Sequence, residues 1–224
     1  NHSISPIENS NSIPRARIHV PESQVFFAYK SCCVDTRVML RWIATRLIRA
    51  TGWTAVGGIP DVPRAVLIAA PHTSNWDGFW LLVYKISMEA DVRFLAKHTL
   101  FWWPLGPILI ALGALPIDRD DPAAIVSQLI AAFKNEDQLF LALAPEGTRK
   151  WRPYWKTGFY RIAEAAGVPI VLAFIDYKTK RMGIGKTLPL GQSEQETLDE
   201  LRGFYTPLVG ARPALQSPIK FPPE

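Results

Sequence analysis

A histidine and an aspartate stand five positions apart in "PHTSNWDG", residues 71–78, directly after an apolar run. If a helix begins near Ser74 or Asn75, Asp77 lies in its first turn and can accept a hydrogen bond from one ring nitrogen of His72. The other nitrogen is then a general base, and the carboxylate stabilises the imidazolium that forms. The pair predicts proton abstraction from a substrate; a histidine that only packs or caps at a strand end is the alternative.

Two further polar segments, "IDRDD" and "PEGTRK", also follow apolar runs. They contain Arg119 and Arg149, whose guanidinium groups fork onto phosphate or carboxylate oxygens and so predict an anionic substrate. Gly147 allows a tight turn beside a ligand, and Glu146 is placed to hold Arg149 or a loop amide. The alternatives are a surface pairing of Arg119 with its neighbouring aspartates and a simple strand-to-helix turn at the glycine.

Apolar runs and helical periodicity alternate along the middle of the chain. Strands are predicted over 65–70, 92–96, 115–117, 139–143 and 169–175, and helices over 75–90, 122–133 and 158–166. This alternation predicts an α/β fold, a single domain with a mainly parallel sheet flanked by helices, plus an N-terminal amphipathic helical segment. Ligands gather at the carboxyl ends of such strands, so we expect the three polar segments to share one cleft.

The chain divides by composition into four regions. These are an irregular N-terminal segment at 1–23, an amphipathic, membrane-associating helical region at 24–60, a catalytic domain at 61–205 and a Pro-rich tail at 206–224. Between 34 and 51, apolar residues recur at helical intervals and four arginines supply a basic surface. This pattern predicts a helix lying among anionic headgroups, with an ordinary packed helix as the alternative.

Composition and motif searches exclude several classes of function. The net charge of +5 is too small for the basic stripe of a nucleic-acid binder, so no nucleic-acid partner is expected. The two cysteines are adjacent and no zinc-type ligand spacing occurs, so no metal site is predicted. The chain also lacks the G-x-S-x-G motif of a serine hydrolase. "GIGKT" at 183–187 lacks the first glycine of a phosphate-binding loop, because Lys180 occupies that position; a glycine-rich turn or hairpin is expected there.

Four segments occur in a characteristic order: "HTSNWD", "GALPIDR", "PEGTR" and "VPIVLA". Together they resemble the motifs of the glycerolipid acyltransferase family, which includes the 1-acylglycerol-3-phosphate acyltransferases. The likeness covers about residues 64–180. Four motifs in order are far more specific than any one of them.

The resemblance implies a direct acyl transfer with no cofactor other than the acyl donor. His72 takes the proton of an acceptor hydroxyl, Asp77 orients His72, and the hydroxyl attacks the thioester of acyl-CoA or an acyl carrier protein. Arg119 and Arg149 hold the acceptor phosphate. Glu146, Gly147 and Thr148 complete the substrate-binding motif, and loop amides near Gly147 steady the oxyanion.

The expected partners are therefore a lysophospholipid acceptor, most simply 1-acylglycerol-3-phosphate, an acyl thioester donor and a membrane surface with anionic lipids. The uncharged segment 99–117 contains prolines and glycines and is interpreted as core or as the wall of an acyl-chain site rather than a span. Without a visible signal peptide, the expected location is the cytoplasmic face of the membrane, peripheral or monotopic. The alternatives are another acceptor lipid and a non-catalytic lipid-binding scaffold.

Overall fold

The computed structural model describes residues 34–117 and 122–223. The chain divides after residue 37, and apart from residues 34–37, which begin the first helix, the elements below belong to the unit that starts at residue 38. The helices are α1 Val34–Ala50, α2 Asn75–Ser87, α3 Leu105–Ala111, α4 Pro122–Asn135, α5 Gly158–Ala166 and α6 Glu194–Tyr205. The strands are β1 Thr54–Val56, β2 Arg64–Ala70, β3 Val92–Lys97, β4 Ala114–Ile117, β5 Leu139–Leu143, β6 Ile170–Asp176 and β7 Arg181–Leu188, and short 3₁₀ turns occur at His98–Leu100 and Pro213–Leu215.

All seven strands belong to one sheet, in the order β1-β7-β6-β2-β5-β3-β4. The run from β6 to β4 is entirely parallel, β7 pairs antiparallel with β6, and β1 is parallel to β7. The predicted α/β fold with a mainly parallel sheet is therefore confirmed. Because β2, β5 and β6 are adjacent and parallel, the segments that follow them leave the sheet at the same edge.

Alternate residues of the central strands bury into two separate apolar cores. Val66 and Ile68 of β2 pack with α4, α5 and α6, whereas Ala65 and Leu67 pack with α1 and α2. Side chains of a strand point alternately to opposite faces, so helices on both sides require strands that are apolar throughout. This is why β2 and β6 read as continuous apolar runs.

Most predicted elements agree with the structure to within a few residues at their ends, and of the turn or hairpin predicted at 183–187 the structure has the hairpin. These residues lie inside β7, which forms a hairpin with β6. The glycines that suggested a turn serve instead for close backbone approach, since Gly183 pairs with Val56 of β1. The sequence reasoning did not anticipate α6, whose charged sequence begins with a capping box from Ser193 to Glu196.

The regions predicted at the two ends of the chain are described by the structure to different extents. The predicted irregular segment 1–23 lies outside the described residues. Of the predicted region 24–60, residues 34–60 are described, and they contain α1 and the sheet strand β1. Residues 206–223 contain only a short 3₁₀ turn as regular structure. Within the part of the chain that the structure describes, no helix has both the length and the apolar character needed to cross a membrane.

Replacing Gly183 by alanine is expected to destabilise the protein by about 2–4 kcal/mol. Its φ of +151° disfavours a side chain, and an added Cβ would lie 1.8 Å from the carbonyl oxygen of Val56. The matched control is Gly203→Ala in α6, where an added Cβ meets nothing within 4 Å. That change should raise the free energy of unfolding by about 0.5–1 kcal/mol. Urea unfolding of both variants measures the contrast, and equal effects would contradict it.

Candidate active site

His72 and Asp77 lie together at the end of β2. The Nδ1 atom of His72 is 3.4 Å from Oδ2 of Asp77, and the two side chains are 24% and 0% exposed, respectively. Since the two ring nitrogens lie on different sides of the imidazole, Nε2 is left facing away from the carboxylate. This is the arrangement in which a histidine can act as a base while an acid orients it.

The position of Asp77 follows from the way α2 begins. Ser74 caps the helix, and its hydroxyl accepts a hydrogen bond from the amide of Trp76 at 3.2 Å. The Asp77 carboxylate turns back, and its Oδ2 accepts from the amides of Thr73 at 2.6 Å and Ser74 at 2.7 Å. A capping box therefore fixes both the helix start and the orienting acid.

Asp77 receives one more hydrogen bond, from a residue that the sequence reasoning did not identify. The hydroxyl of Tyr177, just after β6, donates to Oδ1 of Asp77 at 2.9 Å. Burial raises the pKa of Asp77, but hydrogen bonds involving His72, Ser74, Tyr177 and Thr73 outweigh it, so the net pKa is below the ordinary value. Asp77 is held as a carboxylate.

Glu146 holds the same loop from the opposite side. Its Oε1 accepts a hydrogen bond from the backbone amide of His72 at 2.9 Å. The side chain is only 3% exposed, and burial raises its pKa. Among the described residues, its Oε2 and the Nε1 of Trp155 have no hydrogen-bond partner, and both side chains line a small cavity of about 40 Å³. The sequence predicted that Glu146 holds either Arg149 or a loop amide. In the structure it holds a loop amide, that of His72.

The C-terminal residues also support this loop. The amide of Arg212 donates to Oγ1 of Thr73 at 3.1 Å, and a Cβ on Gly210 would lie 2.8 Å from the same oxygen. The amide of Trp155 donates to the carbonyl of Lys220 at 2.8 Å. The Pro-rich tail is therefore packed against the elements that carry His72 and Glu146.

A large cavity of about 1250 Å³ adjoins His72. Its walls are mostly apolar side chains from α2, α4, α5, β3 and β5, and residues from the predicted segment 99–117 contribute as well. Leu100, Leu109 and Leu112 line it, whereas Trp102 and Trp103 are not among its walls and are solvent-exposed. The aliphatic part of that segment, rather than its tryptophans, forms the cavity wall.

Basic side chains line the same cavity where it opens to solvent. Arg149, Lys156 and Arg161 are all exposed wall residues, and none forms a salt bridge with another residue in 34–117 or 122–223. Of these, Lys156 and Arg161 were not singled out from the sequence. The sequence feature that could have identified Lys156 is the aromatic and basic stretch "WRPYWK", which closely follows "PEGTR". Arg119, the other predicted arginine, lies outside the described residues.

Gly147 and Thr148 also belong to the cavity wall. Gly147 has φ of +63°, and an added Cβ would lie 2.9 Å from the Lys156 side chain, so the turn brings these residues close together. The Gly147 amide itself donates to the carbonyl of Ala144 at 3.0 Å. That amide is therefore engaged in the turn, so the predicted oxyanion donors would be other loop amides near Gly147. In the described residues, no group of three or more His, Cys, Asp or Glu side chains is arranged to hold a metal.

The chain is similar in sequence to known acyltransferases. A family model described as Acyltransferase matches residues 54–175. The 1-acyl-sn-glycerol-3-phosphate acyltransferase of Haemophilus influenzae is 30% identical over 146 residues, which cover 60% of this chain and 58% of that protein. The protein of the same description from Streptococcus pneumoniae is 30% identical over 120 residues, covering 50% of this chain and 42% of the relative. The chain thus spans about half the length of these relatives.

A solved structure shares the fold. The crystal structure of the 1-acyl-sn-glycerophosphate acyltransferase PlsC from Thermotoga maritima superposes with a TM-score of 0.51 at 20% identity, covering 73% of each chain.

Replacing Asp77 by asparagine is expected to lower the free energy of unfolding by about 1–3 kcal/mol near neutral pH, because an amide cannot accept at both atoms. The folded-state pKa of Asp77 lies below the ordinary value of 3.8, so its stabilising contribution is present above that value and is lost as pH falls through the lowered pKa. In urea titrations at pH of about 6 and about 3, the difference between the two proteins should therefore be smaller at the lower pH, with the loss occurring as pH falls below 3.8. The exposed Asp137→Asn is the control, expected within about 0.5 kcal/mol at both pH values; a constant difference for Asp77→Asn would contradict the assignment.

Proposed function

Because the chain belongs to the acyltransferase family, we propose that it transfers a fatty acyl group from a thioester to the free hydroxyl of 1-acylglycerol-3-phosphate, giving phosphatidate. One observation carries the proposal. The His72–Asp77 pair lies at a largely apolar cavity of about 1250 Å³ that also has exposed basic side chains in its wall. This combination suits a substrate with a hydroxyl to activate, a chain to bury and an anion to bind.

The proposed reaction uses His72 as the base. Its Nε2 takes the proton of the acceptor hydroxyl while the oxygen attacks the thioester carbonyl, and Asp77 stabilises the imidazolium. The tetrahedral intermediate then collapses, the carbon–sulfur bond breaks, and the thiolate leaves with the proton from His72. An ester bond replaces the thioester bond, and no enzyme side chain is acylated.

The apolar cavity is the proposed site of the acyl chain. Its wall extends along α2 from Asn75 to Lys85, eleven residues, whose ten intervening rises correspond to about 15 Å along the helix axis. Buried methylene groups favour such a site by about 0.8 kcal/mol each. An apolar wall also excludes water, which would otherwise compete with the acceptor hydroxyl for the thioester.

The acceptor phosphate is the proposed ligand of the basic side chains. Arg149 offers a planar fork that matches two phosphate oxygens, and Lys156 and Arg161 add charge on the same wall. Arg119 remains a proposed phosphate ligand on the motif resemblance alone. The acyl donor is proposed to be acyl-CoA or an acyl carrier protein, with no further cofactor.

We also propose that the protein acts at the cytoplasmic face of a membrane containing anionic lipids, as a peripheral or monotopic protein. Two sets of exposed apolar side chains support this. The first, on α1, comprises Val38, Met39, Leu40, Trp42 and Ile43. The second comprises Trp76 and Phe79 of α2 with Leu100, Trp102, Trp103 and Ile108, and its members Phe79 and Leu100 also line the large cavity. Such surfaces, flanked on α1 by arginines, suit anionic headgroups.

His72→Ala is expected to lower the rate of thiol release from acyl-CoA by about 10²–10⁴-fold in the presence of 1-acylglycerol-3-phosphate. The reason is the loss of the base at an otherwise intact site. Thiol release is followed with a chromogenic thiol reagent, and phosphatidate is identified by mass spectrometry. His98→Ala, a histidine in the 3₁₀ turn after β3, is the control and should retain activity. Release that does not need the acceptor, or that survives His72→Ala, would refute the mechanism.

The double variant Trp42→Ser, Ile43→Ser is expected to weaken binding to phosphatidylglycerol vesicles by about tenfold or more, because two exposed apolar side chains are lost. Truncation of α1 is a poorer test, since Ala44 and Ile48 of the same helix are buried in the core. Vesicle co-sedimentation gives the measurement, with Leu190→Ser, an exposed leucine after β7, as the control. Equal weakening by the control would contradict a membrane-binding role for α1.

A further inference from the structure

We propose that Tyr177 is a positioning residue for the reaction, acting by fixing the Asp77 carboxylate so that Oδ2 faces His72. This inference rests on the proposed function, in which His72 is the base. It concerns a residue outside "HTSNWD" that lies 100 positions from Asp77 and contacts it only in the folded protein.

The distribution of hydrogen bonds on the carboxylate gives the physical reason. Oδ2 accepts from the amides of Thr73 and Ser74 and lies against Nδ1 of His72, whereas Oδ1 accepts from the Tyr177 hydroxyl. The terminal torsion of an aspartate has a broad, roughly twofold energy profile, so a carboxylate held through one oxygen alone can rotate. A donor on the second oxygen opposes that rotation. The Asp77 side chain is also fully buried, so water cannot replace the Tyr177 hydroxyl at Oδ1 without entering the core.

Tyr177 is itself held rigidly by its surroundings. Its ring and that of Trp53 form a T-shaped contact, with ring centres 5.0 Å apart and planes at 85°, and Trp53 in turn packs on Trp80 of α2 at 5.2 Å. The Tyr177 amide donates to the carbonyl of Val209 at 2.8 Å. Next to it, the carboxylate of Asp176 accepts from the amides of Val209 at 3.0 Å and Lys178 at 3.2 Å, which ties down the turn. The hydroxyl is therefore in place before any substrate binds.

The position of Tyr177 separates this role from direct participation. Tyr177 is not among the residues that line the large cavity, and its hydroxyl is directed to Asp77. A residue so placed influences the reaction through the orientation of the carboxylate and the imidazole. Its loss should slow the chemical step and leave substrate binding intact.

The test is Tyr177→Phe in the complete chain, with Tyr160→Phe as the matched control. Tyr160 of α5 is also half-buried, and its hydroxyl donates a hydrogen bond to the carbonyl of Gln192 at 3.0 Å. We expect Tyr177→Phe to lower kcat by about 10- to 100-fold, with KM for 1-acylglycerol-3-phosphate and for acyl-CoA changed less than about twofold. Tyr160→Phe should leave both parameters unchanged. An unchanged kcat, a rise in KM with intact kcat, or an equal fall in the control would each overturn the proposal.

A second readout does not depend on catalysis. The Nδ1 proton of His72 is followed by nuclear magnetic resonance in the free protein, with its signal assigned by its loss in His72→Gln. In Tyr177→Phe the resonance should shift or broaden, and in Tyr160→Phe it should stay in place. If the unaltered protein transfers no acyl group, the proposed function fails, while this resonance still decides whether Tyr177 orients the pair. A resonance unaffected by Tyr177→Phe would overturn the inference.

Discussion

The buried carboxylate of Asp77 is the interaction on which the site depends. A charge that is removed from water is tolerated only when hydrogen bonds replace its hydration. Here the amides of Thr73 and Ser74 and the hydroxyl of Tyr177 supply those bonds. The same contacts start α2, shape the loop that carries His72 and connect that loop to the end of β6. Helix capping, loop geometry and the orientation of His72 therefore share one physical cause.

Glu146 complements Asp77 from the end of β5. Both carboxyl groups contact the His72 loop, and burial raises the pKa of each, but at Asp77 the hydrogen bonds together outweigh burial, so its net pKa is lowered while that of Glu146 is raised. Two acids in neighbouring positions are thereby given different protonation tendencies, a pattern that active sites use to separate roles. Both acids hold the loop through its backbone amides, and Asp77 also contacts the imidazole of His72.

The apolar and basic parts of the site fit the proposed lipid chemistry in different ways. In the proposed reaction the large cavity removes the thioester from water, and low polarity strengthens the interaction between His72 and Asp77. Arg149, Lys156 and Arg161 remain exposed on the cavity wall and keep their hydration until an anion binds. Exposed aromatic residues beside the cavity extend its apolar character to the protein surface, so a lipid substrate need not cross an aqueous gap.

Local sequence determined much of this protein. Apolar runs specified the central strands, with β5 at Leu139–Leu143 predicted to the residue, and the strand-end motifs identified His72, Asp77 and Glu146 as candidates, because these features depend on neighbours within a few positions. The sequence left open whether the glycines at 183–187 form a turn or a hairpin, since their close approach to β1 depends on residues far away in the chain. Only the tertiary structure brought Tyr177 to Asp77 and Arg212 to Thr73, across 100 and 139 positions. Parallel strand pairing decides which strand ends meet, and sheet order is a property of the whole chain.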